Sequence, residues 1–70
     1  MKFGVWYRDE RYPVLVTADY HEDREMQYHG ITQESYDCLD GHRRNFTATG
    51  PTLRDCLEAI LKKIITHQPQ

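Results

Sequence analysis

The side chains that could bind a metal ion are those of four histidines and two cysteines: His21, His29, His42, His67, Cys38 and Cys56. No two of them share the C-x-x-C or H-x-x-x-H spacing that brings a pair of ligands to one zinc ion. The only serine, Ser35, lacks the flanking glycines of a nucleophile elbow, and the four glycines are too dispersed for a phosphate-binding loop. The sequence therefore predicts no metal site, no cofactor and no enzymatic activity.

Two cysteines are too few for a disulfide framework. Cys56 falls on the apolar face of a predicted helix, and Cys38 lies in a strand-like segment that can face this helix. We expect both to be reduced thiols in the core, where a thiol behaves as a small apolar group. A buried disulfide remains the alternative if the chain works outside the cytoplasm.

The charges are unevenly distributed along the chain, whose formal net charge is −2. Residues 1–40 hold nine acidic and four basic side chains, whereas residues 41–70 hold two acidic and five basic ones. Four acids stand close together: Asp19, Glu22, Asp23 and Glu25. Mutual repulsion favours an extended, exposed conformation for this segment, which would attract a basic partner. An ordinary solvated and mobile loop is the alternative.

The length of 70 residues predicts one domain with a small core, formed by a sheet at residues 3–49 and a helix at 52–66. Homodimer formation is a plausible additional source of stability. No run approaches the ~18 apolar residues of a membrane span, and the amino end is too short and interrupted for a signal peptide. We therefore expect a cytoplasmic protein without membrane contact.

The strongest pattern in the chain is a helical one. Its apolar positions repeat close to every 3.6 residues: Leu53, Cys56, Leu57, Ile60, Leu61 and Ile64. Thr52 can cap the amino end, and Pro51 marks the boundary. Leu57 and Ile60 are predicted to be buried against a sheet, and residues 67–70 are predicted to be a disordered tail.

Two alternating segments predict an antiparallel hairpin, with strands at residues 3–8 and 12–20 and Asp9-Glu10-Arg11 between them. Pro13 cannot donate a ladder hydrogen bond, so it is expected at a strand start or on an edge. Residues 21–35 are charged and interrupted by Gly30. They predict a long loop, with or without a short extra strand.

A second hairpin is predicted from strand-like residues 36–39 and 43–49, which flank Asp40-Gly41. A three-residue turn is preferred to a two-residue turn, because it gathers four apolar groups under the helix: Tyr36, Cys38, Phe46 and Ala48. The predicted fold is α+β. It has a three- or four-stranded antiparallel sheet with one C-terminal helix packed on one face, in the order ββ-loop-ββα.

This arrangement leaves one face of the sheet uncovered, and Trp6, Arg8, Leu15 and Thr17 are predicted to lie on it. An uncovered face with an aromatic side chain is typical of a protein interface. Alternatively, Trp6 could stack on RNA bases while Arg8 contacts phosphate. The negative net charge argues against nucleic acid, since phosphate binding needs a basic surface.

The segment FTATGPTLRDCLEAI, residues 46–60, resembles the third strand and helix start of HicB-type antitoxins. The resemblance implies three strands followed by a helix that opens after a Gly-x-Thr step, in a protein that blocks a small toxin. That family usually continues into a DNA-binding segment, and operator binding is not expected of these residues. In size and style the chain also resembles small accessory proteins of phages and prophages, which often bind one host protein.

Taken together, these features predict a small non-enzymatic binding protein, a phage- or prophage-type modulator or inhibitor that acts stoichiometrically on a host protein. A HicB-like antitoxin domain and an RNA-binding domain that uses the open sheet face are the alternatives. The candidate partner-binding residues are Trp6, Arg8, Asp19, Glu22, Asp23 and Glu25.

Overall fold

The computed structural model describes residues 1–22 and 24–70, with the side chains of residues 21 and 24 left aside. Its elements are β1 (Lys2–Tyr7), β2 (Glu10–His21), β3 (Arg24–Thr32), β4 (Tyr36–Asp37), β5 (Arg43–Arg44), β6 (Thr47–Gly50) and α1 (Leu53–His67). A four-stranded antiparallel sheet in the order β1-β2-β3-β6 has α1 packed on one face. The predicted α+β fold is confirmed. Among the described residues, no helix has the length and apolar character needed to cross a membrane.

The first hairpin turns earlier than the polar run Asp9-Glu10-Arg11 indicates, because β1 ends one residue sooner and β2 begins two residues sooner than predicted. Tyr7 pairs with Glu10, so the loop consists of Arg8 and Asp9, with φ values of 51° and 63°. Positive φ at both central residues is the geometry of a type I′ turn, whose twist matches that of the flanking strands. Arg8 therefore belongs to the turn, and Arg11 belongs to β2.

Pro13 lies inside β2, a central strand, and not at a strand start or on an edge. It faces Gly4 in the register with β1, at a position where β2 makes no hydrogen bonds to β1. Its nitrogen therefore points toward β3, which ends one residue before the opposing Gln33. Only the carbonyl of Pro13 is used there, accepting from the Gln33 N–H at 2.9 Å. Because β3 has already ended opposite Pro13, the absence of an N–H on this residue removes no hydrogen bond between β2 and β3.

Residues 21–35, predicted as a long loop with or without a short extra strand, contain the strand β3, which at nine residues is longer than that alternative allows. This strand pairs with β2 along its length and with β6 through Tyr28 to Ile31, so it lies in the middle of the sheet. Gly30, which resembles a strand break in the sequence, is buried under α1. A Cβ at this position would lie 2.9 Å from the Cys56 sulfur, so the glycine allows the helix to approach the sheet.

The second predicted hairpin is shorter than expected and separate from the main sheet. Tyr36 pairs with Arg44, and Cys38 and His42 flank a three-residue turn in which Gly41 has φ 86°. This is the predicted turn length. The return strand breaks after β5, and only residues 47–50 join the main sheet as β6. The four apolar groups assigned to this hairpin all reach the core.

The core lies between α1 and the sheet. Its fully buried side chains include Val14 and Val16 from β2 and Ile60 and Ile64 from α1. Leu57, predicted to be buried, is only partly so, because the face of α1 in contact with the sheet is centred on Cys56, Ile60 and Ile64. Thr52 caps α1 as predicted, with its hydroxyl accepting from the Asp55 N–H at 3.1 Å.

Residues 68–70, predicted to be disordered, lie against β4. The Leu39 N–H donates to the Gln68 carbonyl, the Gln70 N–H donates to the Asp37 carbonyl, and Cys38 forms a bridge with Pro69. Gln68 turns the chain out of the helix with φ 43°. This turn brings the segment back alongside the small hairpin.

Candidate protein-binding surfaces

The open face, which we define as the side of the sheet away from α1, carries alternate residues of its four strands. These are Lys2, Gly4, Trp6, Arg11, Pro13, Leu15, Thr17, His29, Ile31, Thr47 and Thr49. Three large apolar side chains are exposed on it: Trp6 by 65%, Leu15 by 39% and Ile31 by 43%. Leu15 pairs directly with Ile31. The centre of the open face is therefore apolar, with Trp6 toward one end.

Arg11 is the basic residue that accompanies Trp6 on the open face. The two residues are direct cross-strand partners in the register of β1 with β2. The Arg11 guanidinium extends over Gly4, where an added Cβ would lie 2.7 Å from its central carbon. Gly4 thus provides the space in which this side chain lies flat against the sheet.

Arg8, which the alternation of β1 places on the open face, is not there. It lies in the turn after β1, and its guanidinium carbon is 5.3 Å from the centre of the Tyr7 ring. Tyr7 alternates with Trp6, so it projects to the opposite side of the sheet. The prediction that Arg8 acts beside Trp6 is wrong because the strand ends one residue earlier than the sequence pattern indicates.

A shallow depression of about 600 Å³ lies beside the apolar centre of the open face. Its polar lining includes Thr17, His29 and Thr49, which form one row across three strands. The Nε2 atom of His29 is 3.0 Å from an Asp19 carboxylate oxygen, and both side chains are roughly half exposed. These three residues provide hydrogen-bonding groups at the border of the apolar part of the open face.

Beyond this row, β2 and β3 continue without β1 or β6 beside them. The resulting arm consists of residues 17–22 and 24–27. Asp19, Glu22 and Glu25 are exposed on it, whereas Asp23 lies outside the described residues. The Asp19 carboxylate contacts the His29 ring, so Asp19 belongs to the border of the open face. Asp19 lies in β2, Glu22 in the turn that follows β2, and Glu25 in β3, so Glu22 and Glu25 are near the end of the arm.

The β1 edge of the sheet presents unpaired backbone groups. Met1 and Val16 exchange two hydrogen bonds of 2.8 Å each, which sets the alternation of the ladder. The N–H and C=O groups of Lys2, Gly4 and Trp6 must therefore point away from β2. No strand of the described residues pairs with them.

An apolar groove runs between the β1 edge and α1. Its floor is the backbone of Gly4, Val5 and Trp6, and its wall is formed by the partly buried side chains of Leu53, Leu57 and Leu61. Arg54 and Glu58 lie on its rim and form an exposed ion pair of 3.0 Å. The apolar residues of α1 therefore have two roles. Leu53, Leu57 and Leu61 line the groove, whereas Cys56, Ile60 and Ile64 are buried against the sheet.

The opposite edge of the sheet differs from the β1 edge. There β6 has only four residues, and the Lys63 ammonium donates a hydrogen bond to the outward-pointing Thr47 carbonyl. A lysine on an edge strand discourages pairing with another chain, because a further strand would have to displace its charge. The two edges are therefore not equivalent as docking sites.

The residues with catalytic or metal-binding potential are not gathered together. Within residues 1–22 and 24–70, no group of three His, Cys, Asp or Glu side chains is close enough to hold an ion. Cys38 and Cys56 are both buried and unpaired with each other, as predicted. Burial raises the pKa of the Cys56 thiol, which disfavours the reactive thiolate.

Compared with known proteins, the chain matches no family model, no curated protein and no solved structure. The functional argument therefore depends on the geometry of the described residues. Of the predicted site residues, the structure puts Trp6 on the open face, Asp19 at its border, and Glu22 and Glu25 on the arm.

Sequence reasoning missed several residues of these surfaces. The sequence pattern predicts Arg11 in a turn, and Ile31 in a long loop with or without a short extra strand. Leu61 was assigned to the buried face of the helix, with no sign that a groove opens beside it. The spacing of Arg11 from Trp6 would have identified the cross-strand pair if the turn had been placed at Arg8 and Asp9.

Proposed function

We propose that this chain is a non-enzymatic protein-binding domain that associates stoichiometrically with another protein through its open face. The observation that carries the proposal is the exposure of Trp6, Leu15 and Ile31 on one uncovered face of the sheet. Large apolar side chains exposed on one face of a small domain are a mark of a contact surface, and large aromatic side chains dominate binding energy at such surfaces. The narrower proposal that the partner is a host protein modulated by a phage- or prophage-type protein comes from size and style alone.

The polar border of the open face supports selectivity in this proposal. His29, Thr17 and Thr49 offer hydrogen-bonding groups beside the apolar centre, in the arrangement of apolar core and polar rim found at protein interfaces. The acidic arm would add long-range attraction for a basic partner surface. Such attraction acts mainly on the association rate and weakens with salt.

The test uses two isoleucines of matched exposure. Ile31 lies on the open face and is 43% exposed, and Ile65 lies on the outer side of α1 and is 44% exposed. We expect a tagged chain expressed in its host to retain one protein at a fixed molar ratio. Ile31→Lys should weaken this association at least about tenfold, equivalent to ~1.4 kcal/mol, whereas Ile65→Lys should leave it unchanged.

Reconstitution with the purified partner then measures both affinity and association rate. Glu22→Lys combined with Glu25→Lys should slow association and reduce its salt dependence, while folding stays within about 0.5 kcal/mol of the unchanged chain. Equal retention by the two isoleucine variants would show that the open face is not the contact surface.

RNA binding is a second candidate, favoured by one observation. Trp6 lies beside Arg11, so one end of the open face is aromatic and basic. An aromatic ring beside a cation is an arrangement that stacks single-stranded bases. Cross-linked, nuclease-sensitive RNA that disappears with Arg11→Ala or Trp6→Ala would favour this function over protein binding.

A further inference from the structure

We infer that this chain forms a twofold-symmetric homodimer in which the β1 strands of two copies pair antiparallel and continue the sheet. The inference goes beyond the proposed function, because it uses the β1 edge and its groove instead of the centre of the open face. The unpaired N–H and C=O groups of Lys2, Gly4 and Trp6 supply the hydrogen bonds. An antiparallel strand pair is self-complementary about a twofold axis, so one edge can serve both copies.

The position of the groove selects the register. Its floor is centred on Val5, with Gly4 and Trp6 on either side. A twofold axis through Val5 places Gly4 opposite Trp6 of the partner subunit. These are the residues whose backbone groups point outward, so the two symmetric pairs exchange hydrogen bonds in this register. Val5 then faces its own counterpart as a non-hydrogen-bonded pair.

This register also suits the side chains on the open face. Trp6 of the partner subunit comes to lie beside Gly4, which has no side chain to obstruct it. The Arg11 guanidinium already extends over Gly4 and would lie against that indole ring. Contact of a guanidinium with an indole is favourable.

The helix side of the pair would bring the two grooves together. Leu53, Leu57 and Leu61 are partly exposed along each groove, so each copy has an apolar wall to offer. The rim has one base and one acid, Arg54 and Glu58. Antiparallel pairing of the strands about the axis allows Arg54 of one copy to face the acidic rim residue of the other. The rims are therefore complementary in charge.

The protection of the other edge limits the assembly to two copies. Because Lys63 donates to the outward carbonyl of Thr47 on β6, a strand that added there would have to displace this charge, so β1 is the favoured edge for extension. A twofold pairing consumes both β1 edges and closes the assembly. The outcome is an eight-stranded sheet with a helix from each copy on the same side.

Sedimentation equilibrium tests the inference with a matched pair of helix variants. The unchanged chain should sediment at twice its 8.4 kDa mass. Leu61→Glu places a charge on the groove wall and should raise the dimer dissociation constant at least about 100-fold, giving a monomer at micromolar concentration. Thr66→Glu, on the side of the same helix turned away from Leu61, should remain dimeric. A monomer at every concentration up to the millimolar range would overturn the inference.

A cross-linking experiment remains decisive even if Leu61→Glu fails to fold. Facing residues of a non-hydrogen-bonded pair are about 4.5 Å apart at Cα, within the range that a disulfide spans. Val5→Cys should therefore form a covalent dimer under mild oxidation. Ala18→Cys, an exposed strand position on the arm, should form far less. Equal cross-linking of the two variants, or a dimer that survives Leu61→Glu, would assign the contact to another surface. Neither variant alters Leu15 or Ile31, so failure here leaves the proposed function standing.

Discussion

The close approach of α1 to β3 makes Gly30→Ala the sharpest test of the packing. An alanine Cβ at this position would lie 2.9 Å from the Cys56 sulfur and 3.4 Å from a methyl group of Val14. The first separation is too short, so the helix or the thiol must move. The thiol is held in place because it is buried and donates weakly to the Ala48 carbonyl at 3.6 Å.

The expected magnitudes follow from these contacts. Overpacking a core costs about 1–3 kcal/mol, and alanine recovers about 0.4–1 kcal/mol by restricting the unfolded chain. We therefore expect Gly30→Ala to lower the free energy of unfolding by roughly 1–2 kcal/mol. Cys56→Ala alone removes one buried sulfur, which is about the size of a methylene, and should cost about 1 kcal/mol.

Combining the two substitutions should remove the conflict, because the new Cβ then occupies space vacated by the sulfur. The double variant should be about as stable as Cys56→Ala alone, with a favourable coupling energy of about 1 kcal/mol or more. The assay is urea unfolding of all four proteins, supported by melting temperatures, where 1 kcal/mol corresponds to about 4–8 °C in a domain of this size.

Gly41→Ala is the matched control for this cycle. Gly41 has φ 86° and no atoms within 4 Å of an added Cβ, so its substitution acts through the backbone alone. It should cost about 1 kcal/mol and should not be rescued by Cys56→Ala. If Gly30→Ala and Cys56→Ala add within about 0.5 kcal/mol, the packing of α1 on Gly30 is refuted.

Two further predictions concern the core. Ile60→Ala should lower the free energy of unfolding by about 2–5 kcal/mol. Leu57→Ala should lower it by less, because Ile60 is fully buried and Leu57 is only partly buried. Equal losses of the two variants in urea unfolding would contradict this prediction. Burial, with a hydrogen bond donated to Glu10, raises the pKa of Tyr12 to about 12, above its unfolded value of about 10. The resulting stabilisation is complete below pH 10 and is lost as the pH rises from about 10 to 12, by up to about 2–3 kcal/mol. In urea titrations between pH 9 and 11, Tyr12→Phe should show a smaller decline than the unchanged chain.

The parts of the fold that the sequence predicted are those in which apolar spacing and burial coincide. In α1 the residues facing the sheet are apolar at every turn, and in β2 Val14 and Val16 alternate with exposed residues. β3 could not be recognised because its residue beneath the helix is Gly30, which carries no apolar side chain. Residues 25–27 of this strand belong to the arm, where Glu25 and Met26 are both exposed, so polar and apolar side chains do not alternate with burial. Periodicity is therefore missing from a strand that is central in the sheet.

The candidate surfaces were predictable only where they depend on one strand. Trp6 could be placed because it alternates with Val5. Arg11 and Ile31 depend on the turn and on a register between strands, and neither is encoded by spacing within a segment. The groove at Leu61 depends on the angle at which α1 crosses the sheet edge, which no local pattern specifies.

The Lys63 contact on β6 has a consequence for solubility. Every sheet with a bare edge is a template on which further strands can add without limit, and two bare edges on one domain allow growth into fibrils. Here a single ammonium group on the helix covers one of them. A modification that neutralises this lysine, such as acetylation, removes the charge and should leave the β6 edge more open to pairing with another chain. Protection of this sheet edge would then depend on a side chain that lies outside the sheet.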